Sequence, residues 1–421
     1  MRILVIGSGG REHAIIWKLR QSERSVELFC APGNAGIAVI AKCLPVDVND
    51  PSSISVLAES LRADMTFIGP EAPLVRGVRE AFASRNLRVV APSANAAMLE
   101  GSKVFAKEFM KRNRIPTARF AVCDSAESAR SSRRGFGFPV VVKADGLAAG
   151  KGVSIAGDAA EFDDAINAMM VERVFGDSGA RVVLEECLIG EEASLMLFSD
   201  GRDYKIIAPA RDYKRVNDGD LGPNTGGMGS FSTPGLIDEE TLSRIKNDIV
   251  EPTLLGMTRE EKPFQGVLYV GLMLTAAGPR VIEYNARFGD PETQAVMVRL
   301  DSDLVEIMEA IIEKRIGATP IEWSGDSSVC VVAASGGYPG EFEKGKVITG
   351  LDDASSIEGV VIFHAGTSRS GSGEFLTSGG RVLGATARAT TLEAARARAY
   401  GAMNKISFEG MRYRKDIARS A

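Results

Sequence analysis

The sequence predicts an α/β protein. It has a doubly wound parallel sheet at the amino terminus, a central domain carrying a small α+β lobe, and a mixed α/β domain at the carboxyl terminus. Three observations carry this. Apolar runs alternate with helical patterns over the first hundred residues, as βα repeats require. After Pro116 strand-like runs gather around one glycine-rich turn. A long polar, glycine-rich stretch, residues 211–231, then precedes further helices and strands and a last set of short strands.

In order, "RILVI", "VELFCA", "DMTFIG" and "LRVVAP" read as strands, and Glu12 to Gln21, Ser52 to Arg62 and Leu74 to Ser84 as helices. Ligands of such sheets bind beyond the carboxyl ends of the strands, which sets "GSGGREH", "APGN" and "GPEAP" along one rim. "GSKVFAKEFMKRNRIP" reads as a helix with an apolar stripe at Val104, Phe105, Phe109 and Met110, ended by Pro116 and opening a second domain. Up to Asp200 the pattern is mostly strands with one helix after Asp158. "RVVLEECLIGEEASLMLF" runs two strands through an acidic connector. "RDYKRVNDGDLGPNTGGMGSF" is too long for a tight turn and is taken as a structureless active-site loop. A helix follows near Glu239 to Gly256, then the adjacent buried strands "FQGVLYVGLML" and "RVIEYN". From about Ser327 come short strands and a helix from Thr391 to Lys405. The expected domains are 1–101, 102–320 with the small lobe at about 118–190, and 325–421.

Composition narrows the chemistry. The chain has 421 residues and a net charge of −5 with both signs mixed, so it lacks the basic field that nucleic-acid binding uses. Five cysteines without C-x-x-C spacing argue against a zinc site and a disulfide framework, and fit buried thiols in a reducing cytoplasm. No run approaches the roughly 18 apolar residues of a membrane span, and the amino-terminal run is too short for a signal peptide. With two histidines, His13 and His364, carboxylates must bind any metal.

Four motifs carry chemistry. "KADGLAAGKGV", Lys143 to Val153, sets one lysine at the end of an apolar run and another in a glycine-rich turn. It suits phosphate held between strands, or else a flexible hairpin with a solvated lysine. "GSGGREHA" opens a helix whose N–H groups could receive an anion, and Arg11 could pair with phosphate. Glu12 replaces the third glycine of the dinucleotide fingerprint, so a sugar phosphate or a purely structural turn fits better than NAD or FAD. In "VIEYNARFGDPE", Glu283 and Asn285 share one strand face as hard oxygen donors for magnesium, and Arg287 continues the alternation toward a transferring phosphoryl group. The alternative is a surface strand ending in a turn. "LEECL" offers groups for an adenine and ribose, or is a solvated acidic connector.

Together these words resemble the ATP-grasp ligases, and among them the ligase family that joins glycine to 5-phosphoribosylamine in de novo purine synthesis. The resemblance rests on "GSGGREHA", "APGNAG", "GPEAPLV", "LEGSK", "VVKADGLAAGKGV", "EECLIGEEAS", "DYKRVNDGDLGPNTGGMG", "LYVGLM", "EYNARFGDPETQ", "SGGYPG" and "FHAGT", in register over nearly the whole chain. It implies that the small lobe is a lid over ATP. Lys103 and Lys143 would meet the phosphates under the turn of Gly150, Lys151 and Gly152. Glu185, Glu186 and Leu188 would line the adenine pocket, with Glu192 near the ribose, and Glu283 and Asn285 would hold magnesium or manganese. Arg287 would stabilise the transferred phosphoryl group or the glycine carboxylate, Asp212 would take the glycine ammonium, and Asp290 would order the site or contact substrate. Gly9, Gly10, Arg11, Glu12, Asn34, Gly69, Pro70 and Glu71 would hold phosphoribosylamine. The implied protein is a cytoplasmic monomer or weak dimer whose partners are small molecules.

Two departures stand out. Arg211 occupies a position where the family pattern has glutamine, and Tyr213 one where histidine is frequent, which leaves the electrostatics beside Asp212 open. A different ATP-grasp ligase would share the nucleotide residues but not the rim. A nicotinamide-dependent oxidoreductase is opposed by Glu12 and by the Glu283 and Asn285 pair, and a non-catalytic nucleotide sensor by the retained metal and phosphate residues.

Overall fold

The computed structural model of the chain describes residues 1–147 and 152–419. The amino-terminal strands form a five-stranded parallel sheet in the order 42–43, 27–32, 2–7, 65–68, 89–90. The short edge strand Lys42–Cys43 was not expected, because two residues carry no readable period. Alternate residues of the central strand enter different cores: Leu4 and Ile6 pack on one face, Ile3 and Val5 on the other. A strand covered on both faces reads as a continuous apolar run for this reason.

The helix expected from Leu74 to Ser84 is two helices, Glu71–Val75 and Val78–Ala83, parted at Gly77 with φ +86°. The helix opening at "GSK" spans Lys103–Arg112 and stops short of Pro116, where Arg114 takes a positive φ of 56°. A separate helix, Ala94–Gly101, precedes it. Ser102 joins the two, its hydroxyl accepting from Phe105 N at 3.0 Å and donating to Asp145 at 2.8 Å. Phe109 and Met110 pack into the core shared with the amino-terminal sheet, and fully burying each contributes about 1.5–3 kcal/mol.

The central antiparallel sheet has the order 204–206, 191–200, 265–275, 278–285. Its residues alternate between the same two cores. Leu195, Leu197, Leu268 and Val270 join Leu4 and Ile6, while Met196, Phe198, Val267 and Tyr269 join Ile3 and Val5. The two sheets are thereby packed as one body. The small lobe is a second antiparallel sheet, 120–123, 182–186, 140–144, 153–156, whose core of Val140, Val142, Phe162, Ile166 and Leu184 is its own.

The carboxyl-terminal sheet runs 211–212, 229–232, 327–334, 381–389, 360–364, backed by the helix Leu392–Met403. Its first two strands come from the stretch expected to be a structureless loop, which also folds a hairpin, Arg215–Asn217 with Leu221–Asn224. Sheet pairing at its ends satisfies the backbone groups that its polar sequence left unassigned. No helix among the described residues is long and apolar enough to cross a membrane.

Asp145 also accepts from Val104 N at 3.1 Å and pairs with Arg181 at 2.6 Å, so Ser102 and Asp145 tie the lobe to the main body. Ser102→Ala removes a helix cap and one of these ties. Urea unfolding should show a loss of about 1 kcal/mol, and amide exchange in the strand Val140–Ala144 should quicken.

Candidate active site

The end of the strand Gly278–Asn285 organises the site. Tyr284, Ala286 and Phe288 are buried, while Glu283, Asn285 and Arg287 are half-buried on the opposite, open side. Alternation turns one short segment into a floor of two oxygen donors and a guanidinium. Burial alone would raise Glu283, but Lys214, Lys143, Lys103 and Arg287 together hold it below the usual carboxylate range. Among the described residues no three histidine, cysteine or acidic side chains gather to cage a metal. Ionised Glu283 and the amide of Asn285 are hard oxygen donors of the kind a hard cation takes when it completes its shell with phosphate and water.

Arg287 is held from two directions. Its Nη2 lies 3.0 Å from Glu100 Oε1 and its Nε 3.5 Å from Glu71 Oε2, while Nη1 donates to Phe288 O at 3.0 Å. Burial would lower the guanidinium, but Glu100 and Glu71 raise it. Glu100 accepts from Ala286 N at 2.7 Å with its other oxygen, fixing the backbone that aims Arg287. Burial keeps the Glu100 carboxyl raised, whereas Arg287 and then Arg11 hold Glu71 lowered in spite of burial. Glu71 starts its helix on the rim, so Arg287 joins the rim to the floor.

Glu12 shapes the rim. Its carboxylate folds back to accept from Gly9 N at 2.6 Å and pairs with Arg11 Nε at 2.6 Å. A Cβ on Gly69 would lie 2.0 Å from Glu12 Oε1 and one on Gly7 2.6 Å from Glu12 Cδ, so these glycines leave the space the carboxylate fills. The chain thus places its own anion at the helix start where a dinucleotide pyrophosphate would sit. Arg11 also donates to Phe288 O at 3.1 Å. The Asn34 amide is spent locally, donating to Ser8 O and His364 O and accepting from Gly36 N and Ile37 N. Gly9 and Gly10 open the helix Gly10–Leu19, and Gly69 and Pro70 precede Glu71.

Asp290 closes the rim on the other side. Arg381 reaches it at 3.1 Å and Gln294 donates to it at 2.8 Å. In spite of burial, Arg381 and then Arg11 keep it below its ordinary value. Arg381 also donates to Gly226 O and Asp290 O, both at 2.7 Å, tying in the "GPNTGGMG" turn.

On the lobe side of the floor, where the sequence leads one to expect the nucleotide, Lys103 donates to Gly146 O at 2.9 Å, and Lys143 lies 3.0 Å from Glu185 and 3.1 Å from Ile282 O. Burial lowers Lys103, with Glu283 opposing. Glu185 and Glu186 end the strand Val182–Glu186 facing different ways. The first is buried among lysines, and the second accepts from Arg119 N at 2.9 Å. Leu188 is half-buried just beyond, and Glu192 lies 3.4 Å from Lys214. Gly152 is buried at the far end of the turn, whereas Gly150 and Lys151 lie outside the described residues.

Asp212 faces Lys214, Glu292, Glu192 and Glu283. Burial pushes it up to about 8 against the pull of Lys214, and the three carboxylates push the same way as burial. Arg211 is turned away by strand alternation. It pairs with Glu191 at 2.6 Å and lies over the Phe231 ring, so it adds no cation beside Asp212. Tyr213 accepts Ala418 N at 2.9 Å and packs against Arg414.

Sequence reasoning missed Lys107, Lys214, Glu100, Glu292, Tyr269 and Arg381. Lys107 stands one helical turn after Lys103, a spacing that puts both on one face. Glu100 and Glu292 lie inside quoted words, but nothing in a single sequence marks them as buried. Tyr269 hydrogen bonds Ser194 at 2.8 Å, and Ser194 donates to Glu292 at 3.0 Å.

Three family models match in order: the phosphoribosylglycinamide synthetase N domain at residues 1–100, its ATP-grasp (A) domain at 101–293 and its C domain at 328–420. A curated phosphoribosylamine–glycine ligase of Caldanaerobacter subterraneus subsp. tengcongensis is 47% identical over 418 residues, 99% of each chain. One from Pseudomonas aeruginosa is 47% identical over 424 residues, covering 100% of this chain and 98% of its own. The crystal structure of phosphoribosylamine–glycine ligase from Thermotoga maritima superposes with a TM-score of 0.84 at 37% identity, covering 99% of this chain and 100% of its own. The biotin carboxylase domain of Hydrogenobacter thermophilus 2-oxoglutarate carboxylase shares the fold, with a TM-score of 0.72 at 16% identity, over 98% of this chain and 91% of its own. With matches that run from end to end and take in all three domains, the chain belongs to the phosphoribosylglycinamide synthetase family of ATP-grasp ligases.

Proposed function

We propose that this chain joins glycine to 5-phospho-D-ribosylamine at the expense of ATP, giving N1-(5-phospho-D-ribosyl)glycinamide, ADP and phosphate in purine synthesis. The observation that supports it most is the floor of Glu283, Asn285 and Arg287, flanked by Lys103 and Lys143 on one side and by the Glu71 rim on the other. ATP and amine sites meet there, at the guanidinium.

A carboxylate is a poor electrophile because oxide would have to leave. A glycine carboxylate oxygen attacks the γ-phosphorus, the bond to the β-phosphate oxygen breaks, and ADP departs. The sugar amine then attacks the carbonyl carbon of glycyl phosphate, loses a proton, and expels phosphate. This chain's residues act by position and charge, as phosphoryl transfer asks. Lys103 and Lys143 receive the triphosphate, with Glu186, Leu188 and Glu192 toward the nucleoside. Arg287 compensates the charge spreading over the transferred group, worth several kcal/mol in a dry site. Asp212 takes the glycine ammonium. The rim of Gly9, Gly10, Arg11 and Gly69 to Glu71 holds the amine, with Glu12, Asn34 and Asp290 setting its shape. Magnesium, or manganese in its place, held by Glu283 and Asn285, would screen the triphosphate. Closure of the lobe excludes water from the acyl phosphate.

ADP release, measured with glycine and freshly generated phosphoribosylamine omitted in turn, should require both, with glycinamide ribonucleotide found by mass spectrometry. ADP formed without glycine, or with another acid equally well, sinks the substrate assignment. Glu283→Ala should lower kcat/KM for ATP at least about a hundredfold while leaving the melting temperature near that of the parent.

The raised Asp212 gives a pH test. A carboxyl raised by burial ionises late, so its charge toward an ammonium grows as the pH rises through about 8. The KM for glycine should therefore fall roughly tenfold between about pH 7 and pH 9. In Asp212→Asn it should be high and flat, and an unchanged pH slope in that variant removes Asp212 from the glycine site.

A further inference from the structure

Where the lobe meets the helix Lys103–Arg112 lie three buried ions that the reaction above does not all use. Glu185 stands between two ammonium groups, with Lys107 Nζ 2.7 Å from Oε2 and Lys143 Nζ 3.0 Å from Oε1. All three side chains are at most 5% exposed. Within this triad one carboxylate faces two cations in a desolvated place, and the further carboxylate that acts on both lysines is Glu283 on the floor of the site. Burial draws Lys107 down to about 8, with Glu185 opposing and Lys143 adding to the fall.

The two lysines are not equivalent. Lys107 is anchored, donating to Thr117 Oγ1 at 2.8 Å, and that hydroxyl donates to Val281 O at 2.7 Å. Lys143 has a looser hold. It donates to Ile282 O at 3.1 Å, the carbonyl just before Glu283, and it is among the cations that hold Glu283 ionised. The Oε1 of Glu185 that faces Lys143 makes no aligned hydrogen bond although it is buried. Lys143 is thus paired by charge rather than locked by geometry.

We propose that Lys107 is a positioning residue for ATP binding: by serving as the standing counter-ion of Glu185, it leaves Lys143 free to turn to the nucleotide's phosphates. This rests on the reading of Lys143 as a phosphate ligand. When Lys143 turns, Lys107 and Glu185 remain as a neutral pair, and the charge of Lys143 is met by phosphate instead of being stranded. Without Lys107, Lys143 becomes the sole partner of a buried carboxylate, and its departure would leave that carboxylate unpaired.

The test is equilibrium binding of ATP with magnesium, without glycine or amine, together with steady-state kinetics. Lys107→Met should weaken ATP binding roughly tenfold, the scale of one disturbed buried charge, and raise the KM for ATP but not for glycine. Adding Glu185→Gln to it should restore much of the lost affinity, because the carboxylate that retains Lys143 is gone. A merely structural role predicts the reverse, a double variant that binds no better than the single. Lys107→Arg keeps the charge and should bind ATP within a fewfold of the parent. If Lys143→Met leaves ATP affinity unchanged, the phosphate reading of Lys143 fails and this inference with it. If Lys143→Met weakens binding but Lys107→Met does not, or Glu185→Gln gives no recovery, only the inference is overturned. Circular dichroism melts on each variant separate loss of fold from loss of binding.

Discussion

The rest of the site depends on the clasp of Arg287 between Glu71 and Glu100. A guanidinium cannot lose its proton, so one drawn into a half-buried place must be paired, and its planar fork suits two carboxylates. Those carboxylates come from the rim and from the helix Ala94–Gly101, elements far from the strand in sequence. Because Glu100 also takes the amide of Ala286, the same contact sets the backbone direction at the strand end. The aim of Glu283 and Asn285 follows from it. Two short-range rules, alternation in a strand and neutralisation of a buried cation, are enough to build the floor.

Around that floor charges alternate in layers. Lys103, Lys143 and Lys214 keep Glu283 ionised, while Glu292, Glu192 and Glu283 press on Asp212. Such fields act without reorganisation when charge moves, the form of help phosphoryl transfer can use. The rim follows the opposite logic. Its first helix already carries an anion, Glu12, seated where Gly7 and Gly69 lack side chains. The rim keeps the doubly wound scaffold, with a carboxylate of the chain's own at the start of its first helix.

Much of this was legible in the sequence where a period or a backbone need leaves a trace. The strands of the first sheet, the pair "FQGVLYVGLML" and "RVIEYN", and the shared face of Glu283 and Asn285 follow from alternation. Three features did not. Lys42–Cys43 is too short for a period to show. The break at Gly77 is hidden because the residues on both sides keep the helical pattern. The stretch 211–231 looked structureless since the strand that anchors it, Gly229–Ser232, pairs with residues roughly a hundred positions away. The missed charges have a common cause: Lys107 and Glu100 are buried beside charged partners from other segments, Glu185 and Arg287, and Glu292 beside the Ser194 hydroxyl, and a linear chain shows charge but not burial.

The two cores shared by the first sheet and the central sheet carry a consequence of their own. Leu4 and Leu197 belong to one apolar mass, and Val5 and Phe198 to the other, so the rim cannot shift against the floor without opening both. The small lobe has a separate core and no such constraint. Rim and floor thereby form one packed piece, and the small lobe is joined to it by polar contacts rather than by a common core. A displacement of the lobe would leave the rim and the floor in register with each other, since neither shares the lobe's core.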